Sequence, residues 1–438
     1  SSYIILMCPT PTRRSGKPPT SWSSSKSSST TSGPSSPVPD STGSDAPSER
    51  IFRPYPGPIA LYLHFPFCTN RCHYCDFYKV PFSKKEAARY FQALRYETEM
   101  VLASFGHEPV DIASVYIGGG TPSLIDLDSL GEWLEIVRAY GRLLPDYEFT
   151  VEANPESLSP EFAVGTHELG INRIVIGAQT FAVGLLPPLG RRQKMKDIYR
   201  AFYLSRLAGY ENIAADLIFG LPGQRIKQVK LDIERLAALE PAHISFYQLT
   251  VEPETRLAAS VASGRVTLPD EENTAAMYRF GAHLLADKGY LRYEVSNFAR
   301  EGKICRHNLA YWTGAPYIGL GPAAHGFVNN HRYANRSDVA GYIAMLEGGR
   351  LPLAFIEELD DTQRLLETVL LSLRTAEGID KAKLIRNFGE PALAILEGKA
   401  KAGYVSSGHL IDDLGFLRLS DDGFLLADTI IADLAAQG

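Results

Sequence analysis

The sequence predicts an α/β fold: a parallel sheet with crossover helices, followed by a smaller C-terminal α+β unit. Strand-like apolar runs alternate with helix-like stretches six times between residues 59 and 250, the rhythm of βα units. Several runs are apolar on both faces, as strands are when helices cover one side and inward-packed side chains the other. After Thr250 the rhythm changes, and from Asp360 two or three helices and a compact hairpin near residues 409–419 are expected. Periodicity alone does not separate an open sheet from a barrel.

Residues 1–50 read as a disordered, low-complexity tail rich in Ser, Thr, Pro and Gly, too poor in apolar groups to offset its ordering entropy. Its first 39 residues hold Arg13, Arg14, Lys17 and Lys26 and no acid, a bias shared with organellar transit peptides. The chain does not begin with Met, so the tail reads as an addition to the fold rather than as a transit signal, and Cys8 within it has no expected role. A net charge of −6 gives no general basic field for nucleic acid. No apolar run approaches the roughly 18–20 residues that span a bilayer. Few cysteines suit a reducing compartment, with the cytoplasm as the default.

The first strand, residues 60–64, runs into Cys68, Cys72 and Cys75. Thiolates at C-x3-C-x2-C spacing on one loop can converge on one small object. A [4Fe–4S] cube held by three of them keeps one iron open. A zinc ion completed by His64 or His73 is the competing reading. A disulfide framework fits poorly with five cysteines in a chain of 438 residues.

The second strand, residues 114–117, ends in Tyr116-Ile-Gly-Gly-Gly-Thr-Pro122, where missing side chains let a ligand approach the backbone. The third, fourth and fifth (148–152, 173–177, 212–219) each carry one polar side chain at or near the end of an apolar run: Glu152, Gln179 and Asp216. A buried carboxylate is costly unless paired or hydrogen-bonded. Three such groups at equivalent positions therefore suggest one shared polar ligand, with inter-strand salt bridges as the plainer alternative. Arg191, in the loop after strand four, could neutralise a carboxylate bidentately. The sixth strand covers 243–249. The intervening helices are expected at 84–103, 126–140, 160–169, 195–207 and 226–239, and a further one at 269–288. Residues 291–298 read as extended and 317–325 as a Gly-rich loop.

The cysteine loop, with Tyr74 just before the third Cys, resembles the radical S-adenosylmethionine (SAM) superfamily. That resemblance implies a partial (β/α)6 barrel, with the cluster's open iron taking the amino and carboxylate groups of SAM at the strands' C-terminal ends. From about residue 59 onward the chain also resembles the oxygen-independent coproporphyrinogen III oxidase family and its heme-chaperone branch (HemW). By that similarity Cys68, Cys72 and Cys75 hold the cluster, and Tyr62, Gly119, Gly120, Thr121, Glu152, Gln179, Arg191 and Asp216 contact SAM. Cys305-Arg-His-Asn-Leu-Ala-Tyr-Trp312 contains the His-Asn-x-x-Tyr-Trp pattern of the chaperone branch, in which the His, here His307, is thought to ligate heme iron. Tyr311 and Trp312 offer flat apolar faces to a porphyrin. Cys305 and His325, the latter in a Gly-rich stretch also like the family's, are given no role. The cluster loop continues Cys75-Asp-Phe, where the oxidase branch has an additional cysteine.

The C-terminal unit resembles a winged-helix-like domain, but residues 360–438 hold 13 acidic and 8 basic residues, a poor surface for phosphates. The expected organisation is a barrel over 51–300 with cluster and SAM site, a heme segment over 301–358, and the winged-helix-like domain over 359–438. The expected function is a heme chaperone serving a heme-requiring respiratory acceptor, membrane-associated or not. Radical decarboxylation of coproporphyrinogen III is the alternative. Compartment is cytoplasmic, or organellar if the tail is a transit peptide.

Overall fold

The computed structural model describes residues 50–413 and 415–436, so the expected tail, with Cys8, lies outside the described residues save for its last position. Six parallel strands stand side by side in sequence order: β1 (Ile59–Phe65), β2 (Val110–Gly119), β3 (Gly141–Ala153), β4 (Arg173–Gln179), β5 (Asn212–Phe219) and β6 (His243–Gln248). Every residue of β1 and β4 is buried, as expected of strands covered on both faces. The crossover helices are α1 (Lys84–Ala103), α2 (Leu127–Tyr140), α3 (Pro160–Glu168), α4 (Met195–Leu207) and α5 (Ile226–Ala237). Their starts are written in the sequence: Ser83, Asp126 and Ser159 each accept a first-turn backbone N–H. Right-handed βα repetition of this kind curls the sheet into a partial (β/α)6 barrel.

Both ends of the six-stranded array are extended. β7 (Asn297–Ala299) runs antiparallel along β6. α6 (Arg256–Ala262), α7 (Glu271–Asp287) and the short α8 (Arg306–Trp312) fill the chain around it. On the other side β8 (Tyr317–Leu320) pairs in parallel with β1, and β9 (His325–Val328), β10 (His331–Asn335) and β11 (Leu353–Glu358) follow as an antiparallel meander. The expected loop at 317–325 is therefore two strands and their turn. Gly319 makes this possible, because a Cβ there would lie 2.0 Å from the carbonyl oxygen of His325. The expected extended run 291–298 is interrupted by a bend at Val295 and Ser296.

The C-terminal unit has more helices than the two or three expected: 361–372, 381–388, 390–397, 399–406, 421–425 and 427–435 surround a hairpin of β12 (Leu410–Asp413) and β13 (Phe416–Leu419). Backbone bonds tie it to the chain before β7, with Val295 donating to Arg374 and Ala376 to Tyr293, both at 2.9 Å.

Registers place the barrel's inward side chains in layers. Ala60 is level with Ser114, Tyr62 with Tyr116, Tyr116 with Thr150, and Asp216 with Ser245. Polar groups therefore occupy two levels inside the barrel, and a layer of aromatic rings lies between them.

Candidate cluster and SAM site

The upper level opens as a cavity at the C-terminal ends of the strands. It is lined by Cys68, Cys72, Cys75, Gly119, Gly120, Glu152, Gln179, Arg191 and Asp216, nine of the twelve residues singled out from the sequence. All three cysteines are free thiols, half-buried along one wall. Burial pushes the Cys68 thiol up to about 11, with a hydrogen bond to Thr121 pulling the other way, and raises that of Cys75. Thiols held protonated in this way become ligands only when a cation replaces the proton.

The cysteine loop is tied down at several points. Phe67 and Cys68 pair with Val80 and Pro81, Asn70 Nδ2 donates to Gly190 O at 2.6 Å, and the His73 N–H donates to Leu189 O at 2.8 Å. Lys79 Nζ donates to Cys75 O at 2.5 Å. The glycine run seats the loop as well as lining the cavity. Gly120 N–H donates to Phe65 O at 2.6 Å and Thr121 N–H to Phe67 O at 2.9 Å. A Cβ on Gly120 would lie 2.5 Å from Phe67 O, so only glycine admits the loop this close. With those donors engaged, the backbone groups left for a ligand's amino group are carbonyls, the right polarity for an ammonium. Thr121 stands one bond behind the wall, its Oγ1 3.3 Å from Cys68 Sγ.

Around the cavity, Glu152 accepts from the Tyr116 hydroxyl at 2.8 Å, and Gln179 Oε1 accepts from that of Tyr247 at 2.8 Å. Gln179 adopts φ of +62°, a conformation that costs a non-glycine residue on the order of 1 kcal/mol or more and marks sites where position matters more than comfort. Arg191 follows Gly190, whose own φ of +70° turns the chain against the His73 ring. Arg191, expected to pair with a carboxylate, instead donates to two amide oxygens: Nη1 to Asn154 Oδ1 at 3.2 Å and to Gln193 Oε1 at 3.1 Å. Its Nε is buried without a partner, as is Asp216 Oδ1. One unpaired cationic donor and one unpaired carboxylate oxygen in the same cavity suit a zwitterionic ligand bearing hydroxyls. With three thiols beside them, the residues fit a [4Fe–4S] cluster and SAM.

A zinc ion completed by histidine fits less well. His64 Nδ1 lies 3.1 Å from the Tyr62 hydroxyl and Nε2 2.9 Å from Tyr78 O, and His73 Nδ1 is 3.0 Å from Pro188 O. Among the described residues no three His, Cys, Asp or Glu side chains converge on a single-ion position.

Tyr62 and His307 do not line the cavity. Tyr62 is buried in the layer beneath, stacked on Tyr116 with ring centroids 6.2 Å apart, because its register with Tyr116 puts it below Glu152. His307 lies below that again, its ring 5.1 Å from that of Tyr116. It is 1% exposed, and both ring nitrogens are engaged: Nδ1 lies 2.9 Å from Ser114 Oγ and Nε2 2.8 Å from the Tyr311 hydroxyl. Burial pushes its pKa down to about 3, so the ring is a neutral imidazole. Glu148 holds the start of α8, accepting from the backbone N–H groups of Arg306 and His307, each at 3.1 Å, and from Cys305 Sγ at 3.2 Å. The Arg173 guanidinium, fully buried, completes this polar floor, with Nε and Nη2 unpartnered. His325 is half-buried outside the cavity.

Asn154, Tyr247 and Lys79 also line the cavity and were missed; Tyr74, noted in the cysteine loop but given no place in the site, lines it too. Asn154 had a signal, standing two residues after Glu152 at the same strand end. The floor had one too: Glu148, Thr150 and Glu152 alternate along β3 and must share a face.

Comparison with known proteins agrees with this geometry. A family model described as the radical SAM superfamily matches residues 62–236, and one described as the HemN C-terminal domain matches residues 359–426. The chain is 36% identical to the heme chaperone HemW of Bacillus subtilis over 75% of this chain and 87% of that protein. It is 35% identical to that of Mycobacterium tuberculosis over 87% and 96%. Radical S-adenosyl methionine domain-containing protein 1, mitochondrial, of Danio rerio is 33% identical over 86% and 87%. The solved coproporphyrinogen III oxidase (HemN) of Escherichia coli superposes with a TM-score of 0.76 at 20% identity, over 89% of this chain and 92% of that one, and shares the fold. The superfamily match implies a [4Fe–4S] cluster and SAM. The chain belongs to the radical SAM superfamily, within the family of the heme chaperone HemW.

Proposed function

We propose that this protein binds heme and delivers it to a heme-requiring respiratory protein, with the [4Fe–4S] cluster and SAM held above the heme ligand. Cys68, Cys72 and Cys75 would hold the cluster. Gly119, Gly120, Glu152, Gln179, Arg191 and Asp216 would bind SAM, with Thr121 and Tyr62 supporting from behind. Bound there, the cluster supplies an electron and an open iron for SAM. The carrying observation is the His307-Asn-x-x-Tyr311-Trp312 segment: a neutral imidazole on a short helix beneath the SAM pocket, in a chain whose relatives are named heme chaperones. Neutral imidazole is a standard axial heme ligand.

Because both ring nitrogens of His307 have partners, ligation requires the ring to leave Ser114 or Tyr311. Residues 51–300 would then form the cofactor domain, 301–358 the heme segment and 359–438 an accessory domain. No described helix is long and apolar enough to cross a membrane. Relatives include bacterial chaperones and proteins named mitochondrial, and we place this one in the cytoplasm.

The test pairs two assays on anaerobically reconstituted protein: heme binding, and turnover of coproporphyrinogen III. The proposal expects heme binding that is lost in His307→Ala and no vinyl product. Robust vinyl product, with heme binding indifferent to His307, would favour the oxidase reading and sink this one.

A further inference from the structure

Two cations line the cluster cavity, Lys79 and Arg191. Arg191 stands in the loop after β4 and gives Nη1 to two amide oxygens. Lys79 belongs to the cysteine loop itself, four residues after Cys75. Its Nζ donates to Cys75 O at 2.5 Å and to Phe77 O at 3.1 Å. Both acceptors are neutral carbonyls, so they hold the ammonium without cancelling its charge. The backbone on either side of Lys79 is fastened as well. Tyr78 O lies 2.9 Å from His64 Nε2, Val80 N–H donates to Pro66 O at 2.8 Å, and Phe82 N–H donates to Cys68 O at 2.9 Å. Holding a long, flexible side chain in one place costs rotamer entropy, and the two hydrogen bonds at its end are what keep this ammonium on the loop.

The charge is felt by the groups around it. Burial raises the Cys68 and Cys75 thiols, and Lys79 pulls both of them back. Burial lowers His64, and Lys79 lowers it further. A charge felt at two of the three thiols and at the end of β1 belongs to the cluster's surroundings rather than to the solvent. The loop's other charged groups point elsewhere: Arg71 is exposed, and Asp76, also exposed, adds to the burial that raises Glu252. A cube held by three thiolates is an anion, and reduction adds one more negative charge. Net charge and hydrogen bonding around such clusters set their reduction potentials over a wide range. A fixed cation in partly buried surroundings favours the more negative, reduced form.

We propose that Lys79 is a positioning residue for the cluster: its two hydrogen bonds hold the backbone that carries Cys75, and its fixed ammonium raises the cluster's reduction potential. The proposal rests on the cluster reading above and deepens it. The three thiolates decide that a cluster binds, and Lys79 decides how readily that cluster takes up an electron. No motif marks this lysine, because the cysteine spacing ends at Cys75; the hydrogen bonds at its head group are what place it in the site.

The test titrates the anaerobically reconstituted full chain with dithionite and redox mediators, without SAM. The electron paramagnetic resonance signal of the reduced cluster is followed for wild type, Lys79→Gln, Lys79→Met and Lys79→Arg. Gln keeps a donor for the Cys75 carbonyl without the charge, Met removes both, and Arg keeps both. The signal counts assembled cluster alone, so partial loading does not disturb the midpoint. The proposal expects the ratio of reduced to oxidised cluster at the wild-type midpoint to fall about tenfold in both neutral variants, a shift of about 59 mV to more negative potential. Lys79→Arg is expected to stay close to wild type. A merely structural lysine would change the amount of cluster, read as iron and sulfide, and leave the midpoint where it was. An unchanged midpoint in Lys79→Gln, or no cluster in either neutral variant, overturns this role while leaving the cluster reading intact. Wild type that assembles no cluster overturns both.

Discussion

Asp216 and Arg191 face one cavity with an unpaired oxygen and an unpaired nitrogen. Each is a group whose cost is recovered only when a ligand arrives. Asp216→Ala should therefore weaken SAM binding at least about tenfold by calorimetry, the value of one good hydrogen bond to a charged group; unchanged affinity would mean that the carboxylate serves the fold. Cys72→Ala should lose most iron, sulfide and the broad visible absorption after reconstitution, and full retention would show the ligands to be misassigned. Glu97 carries a residue-level prediction for stability. It is buried and accepts from Gly321 N–H at 2.8 Å and from the Asn335 and Tyr342 side chains, yet burial pushes its carboxyl from 4.5 up to about 7. The folded state thus holds this proton more tightly than the unfolded state does. That contribution is full below about pH 4.5 and is lost as pH rises through 7. The stability deficit of Glu97→Gln relative to wild type should shrink between pH 5 and 8 in urea melts; a constant deficit would contradict the assignment.

At the scale of elements, strand ends carry the chemistry, and most of them were legible. The cysteine spacing, the glycine run, Glu152 and Gln179 at the ends of β3 and β4, and Asp216 within β5 all reach one cavity. Tyr62 shows where reading along the chain stops working. Its distance from Cys68 is a sequence fact, but its level in the barrel is fixed by register with Tyr116, which depends on a neighbouring strand fifty residues away. The glycines' second task, admitting the cysteine loop, was likewise hidden, because it depends on Phe65 and Phe67 carbonyls meeting them in space. α8 was read for His307, Tyr311 and Trp312; its anchor, Glu148, lies far back on β3. Glu148→Ala should strip both first-turn N–H groups of their acceptor and leave the Arg173 guanidinium uncompensated. A loss of about 3 kcal/mol or more is expected from urea midpoints with an unchanged slope. A change within about 0.5 kcal/mol, the size of an ordinary surface substitution, would mean that α8 is held by packing instead.

Across the whole molecule, buried histidines oppose the buried carboxyls. Burial lowers His64 to about 4 and His307 to about 3, so their contribution is full above the ordinary 6.5 and is lost as pH falls toward those values. Glu294, raised to about 7 like Glu97, acts in the other direction. Between about pH 4.5 and 6.5 these two pairs offset each other, and below 4.5 His64 and His307 are the ones of the four whose contribution is still being lost. The same architecture stacks a cofactor cavity, a layer of tyrosines and a buried imidazole in one barrel. The sequence motifs marked the two ends of that stack, while the layer between them came from pairing. The central claim is that this stack serves heme delivery, and the most direct measurement follows heme from the loaded, reconstituted chain to an apo respiratory heme protein by stopped-flow Soret absorbance. Handover predicts a rate that rises with acceptor concentration for wild type, and heme loading that fails in His307→Ala. An acceptor-independent rate, the signature of heme merely dissociating into solution, would contradict the account.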